Sequence, residues 1–254
     1  MLKKRIIPSV LYRGEEVVKG ARFNSWRSIG HVRQAVELYG ARQVDELLIL
    51  DISATIEGRE PNFSLVSDLT SSLFSPCTVG GGIRTLDHFQ KALSSGADKV
   101  CICTSSMEVL GIISESAKRF GSQCVTVSVD YRSVATGGGT AFTYVRSGSV
   151  ATKIHPVDWA KAVEDLGAGE IILNSIDRDG MMQGYDLDMI QEVSSSVSIP
   201  VVACGGAGSL NDFALAFDAG AHAVSAGALF AFTDVTPADA AEYLHDHGYP
   251  VRRT

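Results

Sequence analysis

The two halves of this chain repeat each other in one register, and that repeat restricts the fold more than any other feature. The segments DELLILDIS and TVGGGIRTLDHFQKALSSGADKVCICT of the first half parallel GEIILNSID and VACGGAGSLNDFALAFDAGAHAVSAGA of the second. Glu46 and Glu170 are 124 residues apart (170−46), and so are Gly96 and Gly220 (220−96). A register shared by three strands indicates homologous halves. We therefore predict a single domain over residues 1–254, with half-units of approximately 1–123 and 124–254.

Short apolar runs alternate with stretches of helical periodicity along the whole chain. Eight runs have the length and β-branched content of strands: RIIPSVL, ELLILDI, CTVGGG, KVCICT, CVTVSVD, EIILNSI, PVVACGG and HAVSAGA. Between them, stretches such as LDHFQKALSSG, VDWAKAVEDLG and LNDFALAFDAG have helical spacing and end at a Gly, which often follows a helix. Eight strand–helix units in 254 residues predict an α/β fold, a (β/α)8 barrel built from two half-barrels.

The near-identical stretches SVLYR and SVDYR mark the first and fifth strands, which should face each other across the barrel. They differ only in that Leu11 stands where the second copy has Asp130. A carboxylate at a strand end is a candidate acid or base, whereas leucine cannot transfer a proton. The pair therefore raises the question of whether an acid/base function has been lost.

Glycine-rich turns follow strands at symmetric places in the two halves. Gly81 and Gly82 lie in GGG, and Gly205, Gly206 and Gly208 lie in CGGAG. Glycines there let backbone N–H groups approach an anion. Each turn is followed by a strand ending in small residues, CICTSS with Thr104 and SAGALF, so we predict two phosphate sites. The alternative is that these glycines only make tight turns.

Charge and composition exclude several classes of function. The net charge is −7 and basic runs are absent, which argues against nucleic-acid binding. No apolar run approaches the roughly 20 residues that span a bilayer, and MLKKRIIPSV lacks the features of a signal peptide, so we expect a cytoplasmic protein without membrane contact. The five cysteines form no CxxC pair and the six histidines are scattered, so we predict no metal and no cofactor.

Over essentially its whole length the sequence resembles the HisF family, the cyclase subunit of imidazole glycerol phosphate synthase. The matching motifs are KRIIPSV, VVKGARF, DELLILDIS, TVGGGI, GADKV, FGSQ, GAGEIILNSIDRDG, GYD and CGGAG. The resemblance implies a barrel that receives ammonia from a HisH-like glutaminase subunit docked at its N-terminal face. Ammonia would pass along the barrel axis to a bisphosphorylated nucleotide at the C-terminal face.

Carried over residue by residue, the family's active site is only partly present. Its two catalytic aspartates correspond to Leu11 and Asp130, while Lys19, Asp51 and Asp179 match the pattern. Departures stand at Cys103, Asn174 and Ala228, where the family has asparagine, threonine and a phosphate-contacting serine. Losing a positioned acid or base lowers a rate by about 10²- to 10⁴-fold. The departures cluster at the catalytic face, so we predict that cyclase chemistry is lost.

The opposite face keeps the family's charges. Arg5, Glu46, Lys99 and Glu170 begin the first, second, fourth and sixth strands, so they should ring the lower mouth of the barrel. By the resemblance this ring is the ammonia gate, and Asp98 lies at the glutaminase interface. The alternative for the ring is a plug that closes the barrel.

A branch of the family associated with amidino-sugar synthesis for surface polysaccharides, such as lipopolysaccharide, resembles the chain more closely, through PSVLYRG, REPNF, LNSIDRDG and ACGGAG. There the barrel resembles an ammonia-delivering partner of a separate sugar amidotransferase, and this interpretation is preferred. An active cyclase of histidine biosynthesis is the alternative; it would depend on Asp130 alone or recruit Glu15 or Glu16. The related isomerase with a two-phosphate barrel, and a scaffold without ammonia transfer, are less favoured.

Overall fold

The computed structural model describes residues 3–133 and 140–252, in which eight parallel strands close into a barrel. The barrel strands, in order around it, are β1 (Arg5–Arg13), β4 (Leu47–Asp51), β5 (Cys77–Gly80), β6 (Lys99–Ile102), β7 (Val125–Ser133), β10 (Glu170–Ser175), β11 (Val201–Cys204) and β12 (Ala223–Ala226). Pairing of β12 with β1 and of β7 with β10 completes the circle. The predicted (β/α)8 barrel and all eight predicted strands are confirmed.

Helices cover the outside of the barrel. They are α1 (Val32–Ala41), α2 (Phe63–Thr70), α3 (Leu86–Ser94), α4 (Thr104–Glu108), α5 (Ile112–Phe120), α6 (Pro156–Asp165), α7 (Leu187–Ser196), α8 (Leu210–Asp218), α9 (Ala228–Phe232) and α10 (Pro237–Asp246). Side-chain caps fix several starts: the Thr85 hydroxyl accepts the His88 N–H at the start of α3. None of the helices in the described ranges is long and apolar enough to cross a bilayer.

The element order repeats between the halves. The first and fifth barrel strands each lead into an antiparallel hairpin, built from β2 (Glu16–Ala21) and β3 (Asn24–His31) in one half and from β8 (Ala141–Val145) and β9 (Val150–Ala151) in the other. The fourth and eighth barrel strands each lead into a five-residue helix, α4 or α9, before a longer one. The hairpins were not predicted from the sequence, and both lie at the C-terminal end of the barrel.

The alternation of side chains along the strands separates two cores. On β1, Ile6, Val10 and Tyr12 pack under the helices, whereas Ile7 belongs to a small cluster inside the barrel. That inner apolar layer consists of Ile7, Leu48, Cys101, Ile172, Val202 and Ala223. It divides the barrel interior into a C-terminal end and an N-terminal end, and the candidate site residues lie at both.

Candidate active site

A cavity of about 420 Å³ opens at the C-terminal ends of the barrel strands. Leu11 and Asp130, from β1 and β7 on opposite sides of the barrel, both line it. The side chains of Phe23 and Trp26, from the β2–β3 hairpin, also line the cavity. The two positions singled out by SVLYR and SVDYR therefore face one space, in which Leu11 supplies an apolar wall and Asp130 a carboxylate.

Asp130 is buried, and its carboxylate accepts three side-chain hydrogen bonds, one from its own strand and two from the adjacent β6 end and β10. The Ser128 hydroxyl donates at 2.7 Å, the Asn174 amide at 3.4 Å and the Cys103 thiol at 3.4 Å. Burial raises the pKa of Asp130, and these donors only partly offset it. Burial and the neighbouring carboxylate raise the pKa of Cys103 well above its usual value, so this residue is a neutral thiol.

Lys19 and Asp179 face a second, smaller cavity of about 30 Å³ beside the first. Lys19 is buried on β2, and its ammonium donates to the Ser9 carbonyl oxygen at 2.8 Å. Burial lowers the pKa of Lys19 to about 8, although Asp179 acts in the opposite direction. Burial raises the pKa of Asp179 to about 6, with Lys19 opposing that shift and Asp130 adding to it. These two groups can therefore hold or exchange a proton close to neutral pH.

Asp51 is held by its own loop. Its Oδ1 accepts the N–H groups of Ser53 and Ala54, at 3.0 and 3.1 Å, and its Oδ2 receives Arg59 Nη2 at 2.7 Å. With both oxygens bonded, Asp51 orders the β4–α2 connection at the rim of the large cavity. The sequence predicts Asp51 among the catalytic groups but does not reveal its partner Arg59, which comes from a separate part of the loop.

Most of the predicted phosphate residues line the two cavities. Gly81, Gly82 and Thr104 line the large cavity, and Gly205 and Gly206 line the small one. Gly208 lines neither of these two cavities, and its N–H donates to the Asp212 carboxylate at 2.8 Å, so its phosphate role stays a prediction.

Close packing accounts for the glycine in these turns. A Cβ on Gly206 would collide with the carbonyl oxygen of Gly184, and the φ of Gly206 is +126°. The turn-making alternative is thus sufficient to explain the glycines themselves. Anion binding would depend on which donors remain free in each turn.

At the opposite end of the barrel, the four predicted charges form a closed ring. Arg5 donates to Glu46 at 2.5 Å and also to Glu170, and Lys99 Nζ lies 2.9 Å from Glu46 and 2.8 Å from Glu170. The Thr78 hydroxyl, which the sequence analysis missed, donates to Glu46 at 2.7 Å. Each carboxylate thus meets both cations, which offsets the cost of burying it.

Asp98 lies at the same end, between α3 and β6, and is exposed. Its carboxylate accepts the Cys77 N–H at 2.8 Å, so it also fixes the start of β5. Phe74, in the α2–β5 connection, is 98 % exposed. Phe74 follows α2, which ends at Thr70, and an aromatic side chain so fully in water is a contact candidate that the hydrophobic pattern of the sequence does not reveal.

Comparison with known proteins identifies the family. The family model described as "Histidine biosynthesis protein" matches residues 5–236. The imidazole glycerol phosphate synthase subunit HisF of Chlorobium limicola is 41% identical over 253 residues, covering 99% of this chain and 100% of the relative. This chain belongs to the HisF family.

Further relatives have nearly the same sequence identity to this HisF-family barrel. The subunit HisF of Chlorobaculum parvum is 41% identical over 253 residues, covering 99% of this chain and 100% of that protein. A Pseudomonas aeruginosa protein provisionally named imidazole glycerol phosphate synthase subunit hisF2 is 40% identical over 233 residues, 91% of this chain and 92% of that protein.

No metal centre is formed in residues 3–133 and 140–252, where three or more His, Cys, Asp or Glu side chains nowhere come close enough to hold an ion. In the described part of the chain, the titratable groups at the C-terminal end of this HisF-family barrel include the buried carboxylates Asp51 and Asp130, together with Lys19 and Asp179. Asp51 is already bonded to its own loop and to Arg59. Leu11 itself, opposite Asp130, cannot transfer a proton.

Proposed function

We propose that this HisF-family barrel activates a HisH-like glutaminase at its N-terminal face and conducts ammonia to its C-terminal end. The acceptor chemistry belongs to a downstream enzyme, which amidates a surface-polysaccharide sugar, and cyclase turnover has been lost. The observation that carries the proposal is the contrast between the two ends of the barrel. The charged ring is complete, whereas the acid/base pair is reduced to Asp130.

Polar atoms above the ring support a path for a small molecule. Thr126 pairs in register with Glu170 and therefore points into the barrel. Its hydroxyl is fully buried and has no hydrogen-bond partner in the described part of the chain. Further up, Asn174 Oδ1 is also unpartnered in those residues, next to Asp130. Buried hydroxyl and amide oxygens normally have partners, and ammonia can donate to each in turn.

The inner apolar layer favours ammonia over ammonium. A charged ion crossing this layer would lose its hydration without a partner, whereas a neutral molecule loses much less. The alternative in which the ring is a static plug also explains four satisfied charges, but it gives no role to the unpartnered oxygen atoms above them.

The test is glutamine hydrolysis by the cognate glutaminase with and without this chain. Asp98→Lys should weaken activation several-fold, because coupling between two sites typically amounts to about 1–3 kcal/mol. Asp98→Asn is the matched control: it removes the charge and keeps an acceptor for the Cys77 N–H, so it separates docking from the local fold. Equal hydrolysis with and without the barrel would remove the basis of the proposal.

An active cyclase of histidine biosynthesis is the second candidate, favoured by the 41% identity along the whole chain to proteins named HisF. It would have to manage proton transfer with Asp130 and the Lys19–Asp179 pair. Turnover of the nucleotide substrate with ammonium salts at high pH bypasses the glutaminase and tests this directly. We expect negligible turnover, and a rate comparable to that of an intact cyclase would establish the second candidate.

A further inference from the structure

Two connections at the C-terminal end of the barrel hold apolar side chains in water. Ile56, between β4 and α2, is 63% exposed, and Leu110, between α4 and α5, is 100% exposed. Val109, beside Leu110, is 36% exposed, and both Val109 and Ile56 line the large cavity. Scattered apolar residues on a surface are common, but these three lie together at one opening. We call Ile56, Val109 and Leu110 the apolar rim.

The β4–α2 connection is firmly built although its apolar tip is exposed. The Arg59 N–H donates to the Ala54 carbonyl oxygen at 3.1 Å, which closes the loop on itself. From the next connection, Arg84 Nη2 donates to the carbonyl oxygens of Gly58 and Arg59, at 2.8 and 3.0 Å. Ile56 is therefore fixed in place before any partner arrives. A contact residue that is already ordered loses little conformational entropy on binding.

The β2–β3 hairpin adds positive charge at the same end. Arg22 and Arg27 are exposed, and neither forms an ion pair within residues 3–133 and 140–252. Phe23 and Trp26, which lie between them in the sequence, line the large cavity, so the two arginines flank its opening. The Arg27 guanidinium lies 4.5 Å from the centroid of the Phe232 ring, a contact that leaves its N–H groups free for carboxylates.

The acidic groups of the neighbouring loops are already paired. Glu57 receives Arg59 Nε at 2.6 Å, and Glu108 receives Arg146 Nε at 2.8 Å. The chain as a whole carries a net charge of −7, so unpaired arginines beside this opening are a local exception. Such a surface attracts an acidic partner and repels another acidic surface.

The position of the apolar rim indicates which kind of partner would cover it. Under the proposed function, ammonia leaves the barrel through the large cavity, which opens to water at this end. Ammonia that enters water near neutral pH becomes protonated and loses its nucleophilic electron pair, so delivery requires a cover that excludes water. Apolar residues with charged groups beside them are the ordinary composition of a protein interface.

We propose that the apolar rim, together with Arg22 and Arg27, is the docking surface for the acceptor enzyme, a sugar amidotransferase that presents apolar side chains and carboxylates to it. This inference rests on the proposed function, from which it takes the acceptor enzyme. It adds the place of docking, the residues that form it and the charge of the partner's surface.

The experiment titrates the organism's own sugar amidotransferase, purified separately, into the complex of this chain with its glutaminase, by isothermal titration calorimetry. The double variant Ile56→Ser, Leu110→Ser should weaken binding about tenfold or more, because it removes the apolar contacts. Leu215→Ser, which alters a residue 40% exposed on the outside of α8, is its matched control and should leave binding unchanged.

Arg27→Glu tests the charge and should weaken binding about fivefold at low salt, with a smaller effect at high salt because ions screen exposed charges. Lys161→Glu makes the same change of charge at an exposed position on α6 and should have no effect. Glutamine hydrolysis is measured on the same samples. If the barrel activates the glutaminase and the rim variants bind the amidotransferase like the unmodified chain, the docking surface is wrong while the proposed function stands; absence of activation removes both.

Hydrogen exchange of the unmodified chain makes the test independent of any variant. Adding the amidotransferase should protect the backbone of residues 53–60 and 108–111, and absence of protection there overturns the proposal. Two other occupants are tested on the barrel alone. A dimer in sedimentation velocity that Leu110→Ser dissociates would assign the surface to a second copy, and binding to phosphatidylglycerol vesicles that Arg27→Glu abolishes would assign it to an anionic membrane; either result overturns the proposal.

Discussion

Replacing Lys99 by methionine removes one cation from the charged ring and keeps most of the side-chain stem. The Lys99 ammonium contacts Glu46 at 2.9 and 3.1 Å and Glu170 at 2.8 Å. After the substitution, Glu170 keeps its contact with Arg5, and Glu46 keeps Arg5 and the Thr78 hydroxyl. Two buried carboxylates, with 3% and 5% exposure, must then share a single cation.

The magnitude depends on which ion pairs the substitution breaks and on how deeply they are buried. Breaking a buried ion pair by removing one partner costs about 3–5 kcal/mol, because the remaining charge is left uncompensated. Lys99 pairs with two carboxylates, but its side chain is 20% exposed, so water can replace part of the ammonium. We therefore expect Lys99→Met to reduce the free energy of unfolding by about 3 kcal/mol near neutral pH.

The destabilisation should depend on pH. Burial alone would raise the pKa of Glu46, but Lys99 and Arg5 hold it below its ordinary value. A carboxylate with a lowered pKa stabilises the fold above its unfolded-state pKa, and this contribution disappears as the pH falls through the folded-state pKa. In Lys99→Met the effect of burial should dominate, so the pKa rises and a carboxylate becomes protonated at mildly acidic pH. The stability difference between the two proteins should therefore shrink as the pH falls towards about 4.5.

The assay is urea unfolding near neutral pH and at about pH 5, with Lys91→Met as the control. Lys91 pairs with Asp87 at 2.7 Å on the surface, with both side chains well exposed, so its removal should cost less than about 0.5 kcal/mol. If Lys99→Met is no more destabilising than Lys91→Met, or if its cost does not fall as the pH is lowered, the charged ring does not contribute to stability in this way. With the glutaminase present, Lys99→Met should also leave hydrolysis in place while reducing the amidated product.

Three further substitutions test the two ends of the barrel and the packing of a glycine-rich turn at the C-terminal end. Leu11→Asp should not restore full ammonia-dependent cyclase turnover, since positions 103 and 228 have also changed; full recovery would assign the loss to Leu11 alone. Phe74→Ser should weaken glutaminase binding about tenfold with little change in stability, whereas Leu110→Ser, which alters a fully exposed residue near the other end, should change neither. Gly206→Ala should lower the unfolding free energy by about 2 kcal/mol or more. The control Gly14→Ala, at a position where φ is +60° and no atom lies within 4 Å of the added Cβ, should lower it by only about 1 kcal/mol. Equal values for the two variants would show that close packing does not require glycine at position 206.

The eight barrel strands could be predicted because their burial on both sides produces unbroken apolar runs in the sequence. The β2–β3 hairpin could not, because β3 is exposed along most of its length and has no hydrophobic alternation. Its turn places Arg22 and Phe23 at positive φ, without the Asn-Gly or Asp-Gly pair that identifies a hairpin. Yet this hairpin carries Lys19, a buried residue that lines the smaller cavity.

The charged ring was predictable because parallel strands begin at the same end of a barrel, so charges at strand starts must meet. Asp51 shows the limit of that reasoning. The sequence places a carboxylate at a strand end, but it does not show that Arg59 folds back onto the same carboxylate at 2.7 Å. A residue's position on a strand can be inferred locally, whereas the partner that satisfies its charge depends on loop geometry.

The separation of the two ends explains how one could change while the other stayed intact. Arg5 and Leu11 lie on the same strand, six residues and about 20 Å apart at the usual rise per residue. The inner apolar layer lies between them, and it offers no hydrogen bonds or charges through which a change at Leu11 could reach the ring. Replacing a carboxylate at position 11 by leucine therefore leaves the electrostatic balance of Arg5, Glu46, Lys99 and Glu170 undisturbed. A barrel built in this way can lose proton transfer at its C-terminal end and still keep the charged ring at its N-terminal end. The ammonia conduction proposed above needs only the ring.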